Sequence, residues 1–235
     1  MTRFLLTNDD GIDAPGIQAL ARSLQALDNA HELHWVAPNC QYSGCGHPAI
    51  DDQPIRVESR DRQPSTSAYA VYSSPASCAR VGVRALAPAV DWVISGVNAG
   101  GNLGVDQYVS GTVAGARQGA MDGKPAIALS QYIDSPKPIH WPTVERWTTA
   151  VLRELLMRPL PDKHFWSVNY PHLEPDSPLP ELVFCEPSRD SMMLEFKETP
   201  EGYVAHSVYR DRPIAPGSDV EACFGGRIAI TQLSI

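Results

Sequence analysis

The feature that most constrains the fold is an alternation of short apolar runs with segments of helical periodicity. Residues 3–7 form a short apolar run, residues 15–27 repeat apolar side chains at helical spacing, and residues 33–38 form a second apolar run. A strand, a helix and a strand within about 35 residues is the spacing of a βαβ unit, whose two strands lie parallel. This part of the chain therefore predicts a parallel strand pair with a helix packed on it.

The same alternation continues along the chain. It predicts further helices at residues 77–86, 112–121 and 143–157, and further strands at residues 91–95, 126–130 and 227–233. Alternating elements of this kind indicate an α/β class, namely a Rossmann-like layered fold with a mostly parallel sheet.

The segment 159–216 differs from the rest, because it is rich in proline and its apolar residues alternate instead of following helical spacing. Residues 182–196 and 203–208 predict a β-hairpin, which would project as an arm. We therefore expect a core with the metal site at 1–158, an extension with a hairpin or oligomerisation arm at 159–216, and a final strand at 217–235 that returns to the core.

Composition excludes several classes of protein. A net charge of −8 argues against binding a nucleic-acid polymer, which requires clustered Lys and Arg. There is no stretch of roughly 20 apolar residues that could span a membrane, and the start of the chain does not resemble a signal peptide. Five cysteines without CxxC spacing favour neither a disulfide framework nor a zinc cluster. We expect a cytoplasmic protein without a membrane or nucleic-acid partner.

Two adjacent carboxylates, Asp9 and Asp10, follow the first predicted strand. Open α/β folds bind ligands at this edge of the sheet, and neighbouring carboxylates usually need a cation or a proton to relieve their repulsion. Ser43 follows the second strand, where its hydroxyl could contact a metal or a phosphate. Taken singly, each motif is more often an ordinary solvated turn than a functional site.

A glycine-rich segment at residues 95–104 follows another predicted strand and leads to Ser110, Gly111 and Thr112. Glycines allow a close approach of the backbone to a ligand, and the first amides of the following helix could bind a phosphate. The segment has neither the Walker A sequence nor the dinucleotide-binding GxGxxG pattern. The alternative is a glycine-rich loop with a purely structural role.

Taken in order along nearly the whole chain, these motifs resemble those of the SurE survival proteins, which are metal-dependent 5′/3′-nucleotidases. The resemblance is carried by Thr7-Asn8-Asp9-Asp10-Gly11-Ile12, Ala14-Pro15-Gly16-Ile17, Ser43-Gly44, Ser95-Gly96-Val97-Asn98-Ala99-Gly100, Asn102-Leu103-Gly104, Ser110-Gly111-Thr112-Val113, Val168-Asn169 and Gly217-Ser218-Asp219.

The resemblance implies one divalent cation per subunit, Mg²⁺ or Mn²⁺. Its expected ligands are Asp9, Asp10, Ser43 and Asn98, with Asp9 or Asp10 also acting in catalysis. Carboxylate, hydroxyl and amide oxygens all suit a hard cation. The residues expected to bind phosphate or substrate are Asn8, Gly44, Asn102, Ser110, Gly111 and Thr112.

The implied activity is that of a metal-dependent phosphomonoesterase, which hydrolyses nucleoside 5′(3′)-monophosphates to nucleoside and phosphate by metal-activated water. Two alternatives remain, a broad-specificity phosphatase or exopolyphosphatase and a non-catalytic nucleotide-binding module. The resemblance and the apolar residues of the arm also predict a homodimer or tetramer.

Overall fold

The computed structural model describes residues 1–48, 52–134, 137–192 and 194–235. The helices of this part are α1 (Pro15–Leu27), α2 (Pro75–Val81), α3 (Gly111–Met121), α4 (Trp141–Leu155) and α5 (Asp219–Phe224). Its strands are β1 (Arg3–Thr7), β2 (Glu32–Pro38), β3 (Val57–Ser59), β4 (Ser67–Val71), β5 (Trp92–Ala99), β6 (Ala126–Gln131), β7 (His164–Tyr170), β8 (Leu182–Phe184), β9 (Glu195–Thr199), β10 (Gly202–His206) and β11 (Ile228–Ser234). No helix of this part is long and apolar enough to cross a membrane.

One large sheet organises the described residues, with the strand order β3-β4-β2-β1-β5-β6-β7-β11-β8. Neighbouring strands are parallel except in the pairs β3–β4 and β7–β11. From β1 the chain passes to β2 on one side and later to β5 on the other. Such a reversal opens a crevice at the carboxyl ends of the two central strands, here β1 and β5.

Helices cover both faces of the sheet, and the apolar residues form a core on each side. Helices α1 and α4 lie together on one face, where the Ser23 hydroxyl donates to the Glu145 carbonyl oxygen at 3.0 Å. On the other face, α3 carries a glycine every fourth residue. A Cβ added at Gly119 would lie 2.7 Å from the Val93 Cβ. The small residues of α3 therefore bring it close to β5.

The predicted α/β class with a mostly parallel sheet and a C-terminal hairpin is confirmed. Helix α1 has the predicted bounds. The predicted helix at 77–86 is divided into α2 and a π-helical turn (Gly82–Leu86), and β5 continues beyond the predicted strand to Ala99. The prediction omitted β3, β4, β7 and α5. These elements are short or lie among prolines, where periodicity is a weak signal.

The first strand of the hairpin differs from the predicted one. The hairpin pairs β9 with β10, whereas Leu182–Phe184, which was predicted to belong to it, lies parallel to β11 in the main sheet. Strand β7 also lies in the main sheet, between β6 and β11. The extension 159–216 thus contributes both to the core sheet and to a projecting hairpin, because its strands are too short for their sequence to indicate which partner they pair with.

Candidate active site

Asp9 lies in the loop after β1 and is almost fully buried, at 3% exposure. The Thr112 hydroxyl of α3 donates a hydrogen bond to its Oδ1. Burial raises the pKa of Asp9 from 3.8 to about 6; the charge of Asp10 adds to this effect, and the hydrogen bonds from Thr112 oppose it. The unfavourable energy of a buried charge in such a position is removed by protonation of the carboxylate or offset by a nearby cation.

Asp10 connects this loop to the end of β5. Its Oδ2 accepts a hydrogen bond from the Ala99 amide at 2.9 Å. Burial raises the pKa of Asp10 as well, against the effect of that hydrogen bond. The two carboxylates are thus held by different elements, Asp9 by α3 and Asp10 by the end of β5.

The side chain of Asn8 braces the turn that presents these carboxylates. Its Nδ2 donates to the Gly11 carbonyl oxygen at 2.8 Å, and its Oδ1 accepts from the Gly11 amide at 3.2 Å. Gly11 has a φ of 102°, a conformation that favours glycine. Asn8 is fully buried. In this structure it therefore shapes the loop, and a direct contact with phosphate stays a prediction.

Ser43 and Gly44 lie on the exposed loop after β2. Backbone hydrogen bonds connect this loop to the loop after β1 and to the loop before α3. The Tyr42 amide donates to the Asp9 carbonyl oxygen at 2.7 Å, and the Gly46 amide donates to the Val109 carbonyl oxygen at 2.9 Å. The Ser43 hydroxyl accepts a hydrogen bond from the Gln41 side chain at 3.0 Å. The structure thus brings the Ser43 loop beside Asp9.

Asn98 lies near the end of β5, where the register with β6 shifts between Ser95 and Asn98. Its Nδ2 donates to the Gly100 carbonyl oxygen at 2.9 Å, so the amide nitrogen already has a partner. The side-chain oxygen is the atom that would face a cation. Gly96 is required at this bend, since a Cβ there would lie 2.3 Å from the Leu129 carbonyl oxygen.

Asn102 is fixed by Ser130 and Asn169, to which no role in the site was predicted, although Asn169 belongs to one of the motifs of the family resemblance. Its Nδ2 donates to the Ser130 hydroxyl at 2.8 Å, and its backbone amide donates to Asn169 Oδ1 at 2.7 Å. Asn169 Nδ2 also donates to the Asn102 carbonyl oxygen at 3.1 Å. Ser130 and Asn169 lie towards the carboxyl ends of β6 and β7, and polar residues at that position are the signal that could have identified them.

The first turn of α3 lies against the carboxylates. Ser110 is the N-cap, whose hydroxyl accepts from the Val113 amide at 3.1 Å. A Cβ added at Gly111 would lie 2.8 Å from the Asp9 Cβ, so glycine permits this contact. The first amides of a helix lack partners within the helix and favour anions. This end of α3 can therefore bind phosphate oxygens next to Asp9.

The donor atoms of the site fit a hard divalent cation. Within the described ranges, no cluster of three His, Cys, Asp or Glu residues could hold a metal ion. A metal here would depend on the two carboxylates together with the Asn98 amide oxygen and the Ser43 hydroxyl, all of which are oxygen ligands. The pKa of Asp9, raised by burial, is consistent with a carboxylate that requires such a positive charge nearby.

Comparison with known proteins gives consistent matches. The family described as "Survival protein SurE" matches residues 4–193. A putative 5′-nucleotidase of Synechocystis sp. is 49% identical, over 99% of both chains. A 5′-nucleotidase SurE of Paramagnetospirillum magneticum is 38% identical, over 98% of this chain and 89% of the relative. The crystal structure of the SurE protein from Aquifex aeolicus superposes with a TM-score of 0.82 at 28% identity, over 99% of this chain and 93% of the other.

Proposed function

Because the chain belongs to the SurE family, we propose that it is a phosphomonoesterase that hydrolyses nucleoside 5′(3′)-monophosphates to nucleoside and phosphate. The observation that carries this proposal is the placement of Asp9, a buried carboxylate with a raised pKa, against the first turn of α3. A site that only bound an anionic nucleotide would have no use for two carboxylates beside the phosphate. The proposal also agrees with the names of the two relatives, both of which are described as 5′-nucleotidases.

The proposed enzyme depends on one divalent cation per subunit, Mg²⁺ or Mn²⁺. Asp9, Asp10, Ser43 and Asn98 would hold it, each through oxygen. When bound, such a cation offsets the charge of the phosphate and lowers the pKa of a coordinated water.

Side chains and backbone amides of the protein would bind the phosphate, accept the proton of the water and hold the carboxylate in place. The first amides of α3 and the Ser110 hydroxyl would bind the phosphate oxygens that do not react and orient phosphorus for in-line attack. Asp9 or Asp10 would accept the proton of the attacking water. Thr112 would keep Asp9 in place, since its hydroxyl already donates to the carboxylate.

The test is phosphate release by the purified protein. AMP, GMP and their 3′ isomers, p-nitrophenyl phosphate and tripolyphosphate are compared with Mn²⁺, Mg²⁺ and EDTA. We expect release from nucleotides that EDTA abolishes. Equal or faster release from p-nitrophenyl phosphate or tripolyphosphate would indicate a broad phosphatase or exopolyphosphatase, and no release with any divalent metal would indicate a binding module.

A matched pair of variants tests the site. Asp9→Asn should abolish most of the activity, because it removes charge from the cation site. Asp13→Asn removes a carboxylate from the same loop, but Asp13 is exposed and pairs with Arg62, so activity should remain near that of the wild type. If both variants lose activity equally, the loss belongs to the loop as a whole and the assignment to Asp9 is wrong.

We further propose that the protein is a homodimer. Two such dimers would form a tetramer if a second interface exists. The support is the hairpin β9–β10, on which Phe196 and Tyr203 are 64% and 70% exposed. A two-stranded hairpin is only marginally stable alone in water, and apolar surface on it is better covered by a partner. A two-fold pair of identical chains is the commonest arrangement among soluble oligomers. A cytoplasmic location stays a prediction from the sequence.

A further inference from the structure

The loop at residues 99–110 connects β5 to α3, and the residues at its two ends contact the two carboxylates of the site. At its start, the Ala99 amide donates to Asp10 at 2.9 Å. After its end, Gly111 lies so close to Asp9 that a Cβ would approach the Asp9 Cβ to 2.8 Å. Three glycines in this loop, at 100, 101 and 104, give the backbone little stiffness of its own. Residues 104–108 form a 3-10 helical turn, and contacts from elsewhere in the chain hold this turn and the glycine-rich residues before it.

The segment that follows the hairpin supplies one set of contacts through Asp106. Arg212 donates to both carboxylate oxygens of Asp106, at 2.6 and 3.1 Å. The Tyr209 hydroxyl donates to the Asp106 Oδ2 at 2.6 Å. The Arg212 side chain is only 1% exposed. A paired buried arginine cannot leave its partner without a large cost in free energy, so this contact holds the loop firmly.

The Tyr209 hydroxyl also contacts the backbone of the loop directly. It accepts a hydrogen bond from the Leu103 amide at 3.3 Å, and a Cβ at Gly101 would lie 3.1 Å from the same oxygen. The ring itself packs against Tyr132, with centroids 5.7 Å apart. The hydroxyl can therefore be removed while the packing of the ring is retained.

Asp219 supplies the second set of contacts. Its Oδ2 accepts from the Gly104 amide at 2.7 Å, and its Oδ1 accepts from the amides of Ser188 and Val220 at 2.8 and 2.9 Å. Gly104 has a φ of 55°, and a Cβ there would lie 2.7 Å from the Ser188 carbonyl oxygen. One buried carboxylate thus joins the glycine-rich loop to the segments on either side of the hairpin.

We propose that Tyr209 and Arg212 are positioning residues for the phosphate site, acting on the loop that Asp219 also holds. This inference depends on the proposed function, since it concerns the same site. By holding residues 101–106, they set where the chain enters α3 and hence where its first amides stand relative to Asp9. They do not themselves touch the substrate. Their loss should weaken the binding of phosphate more than the binding of the cation.

The test uses variants that remove single contacts from the intact protein. Tyr209→Phe removes the hydroxyl and keeps the ring. Arg212→Met removes the charge and keeps much of the side-chain volume. Arg212→Lys keeps the positive charge but cannot make the bidentate hydrogen bonds to Asp106. Arg158→Met is the control for loss of an arginine with an ion pair and a ring contact, because the described partners of Arg158 are Glu154, at 2.7 Å, and the Phe184 ring, at 4.1 Å, and both lie outside the loop.

Five quantities are measured for each variant: the KM and the kcat for a nucleotide, the Kd of inorganic phosphate by calorimetry with Mn²⁺ present, the Mn²⁺ concentration for half activity, and hydrogen exchange of the amides at 100–106. For Tyr209→Phe and Arg212→Met we expect the KM and the phosphate Kd to rise about tenfold, with faster exchange in the loop and a nearly unchanged Mn²⁺ requirement. Arg212→Lys should restore part of the phosphate affinity.

The inference is overturned if both variants keep KM and the phosphate Kd within about twofold of the wild type, or if Arg158→Met changes them equally. A lower melting temperature alone, with unchanged phosphate binding, would indicate a purely structural role and would also overturn it. If the wild type releases no phosphate from any nucleotide, the proposed function fails; the phosphate Kd and the hydrogen exchange of the loop then still decide the positioning role.

Discussion

Replacing Asp9 by asparagine should make the metal-free protein more stable at neutral and alkaline pH, while it removes activity. In the folded state, burial raises the pKa of Asp9 from 3.8 to about 6. A carboxyl whose folded pKa exceeds its unfolded pKa is most favourable to folding when it is protonated. Its contribution is therefore complete below about pH 4 and is lost as the pH rises through about 6.

The magnitude follows from this change in pKa. Each pKa unit corresponds to about 1.4 kcal/mol, so ionised Asp9 costs the folded apo protein about 3 kcal/mol above pH ~7. The pKa of about 6 already includes the hydrogen bonds from Thr112, which favour the ionised form, so asparagine avoids the whole of this cost. The net gain is about 3 kcal/mol, or roughly 6–12 °C in Tm for a chain of this size.

The assay is thermal unfolding of both proteins in EDTA between pH 4 and pH 8. The gain should be full near pH ~8 and should shrink towards pH ~4, where the wild-type carboxyl is protonated in both states. Mn²⁺ should raise the Tm of the wild type and have much less effect on Asp9→Asn. Asp91→Asn is the control, and it should lower the Tm at neutral pH where Asp9→Asn raises it, because the hydrogen bonds from Arg3 lower the pKa of Asp91. An Asp9→Asn protein no more stable than the wild type at pH ~8 in EDTA would refute the reasoning.

Other expectations concern different parts of the molecule. Asp10→Asn should lower kcat about a hundredfold or more at saturating Mn²⁺, measured as phosphate release. Ser43→Ala should raise the Mn²⁺ concentration for half activity about tenfold, and an unchanged requirement would remove Ser43 from the ligand set. Gly16→Ala should lower stability by about 2–3 kcal/mol in urea unfolding, because a Cβ there would lie 1.8 Å from the Val97 carbonyl oxygen. Phe196→Glu should convert a dimer into a monomer by light scattering, and a monomeric wild type at micromolar concentration would contradict the proposed dimer.

The sequence by itself determined the class of fold and the candidate chemistry. Residues 3–7 and 33–38 are apolar runs around the helical period of α1, and this local pattern is sufficient for a βαβ unit. In a parallel sheet the carboxyl ends of neighbouring strands lie at one edge. The strand pattern therefore predicts that the carboxylates after β1 and the serine after β2 lie at that edge, and the family resemblance adds the asparagine near the end of β5.

Only the tertiary structure decided which segments meet. Leu182–Phe184 was predicted to belong to the hairpin but pairs with β11, because a three-residue strand does not indicate its partner in its own sequence. Tyr209 and Arg212 lie about a hundred residues from Asp106, and only the course of the chain after the hairpin brings them to the glycine-rich loop. Asp219 and the Gly104 amide are also far apart in the sequence, and only the fold brings them into contact. Periodicity reports on neighbours along the chain, whereas the shape of the glycine-rich loop depends on burial and pairing between distant segments.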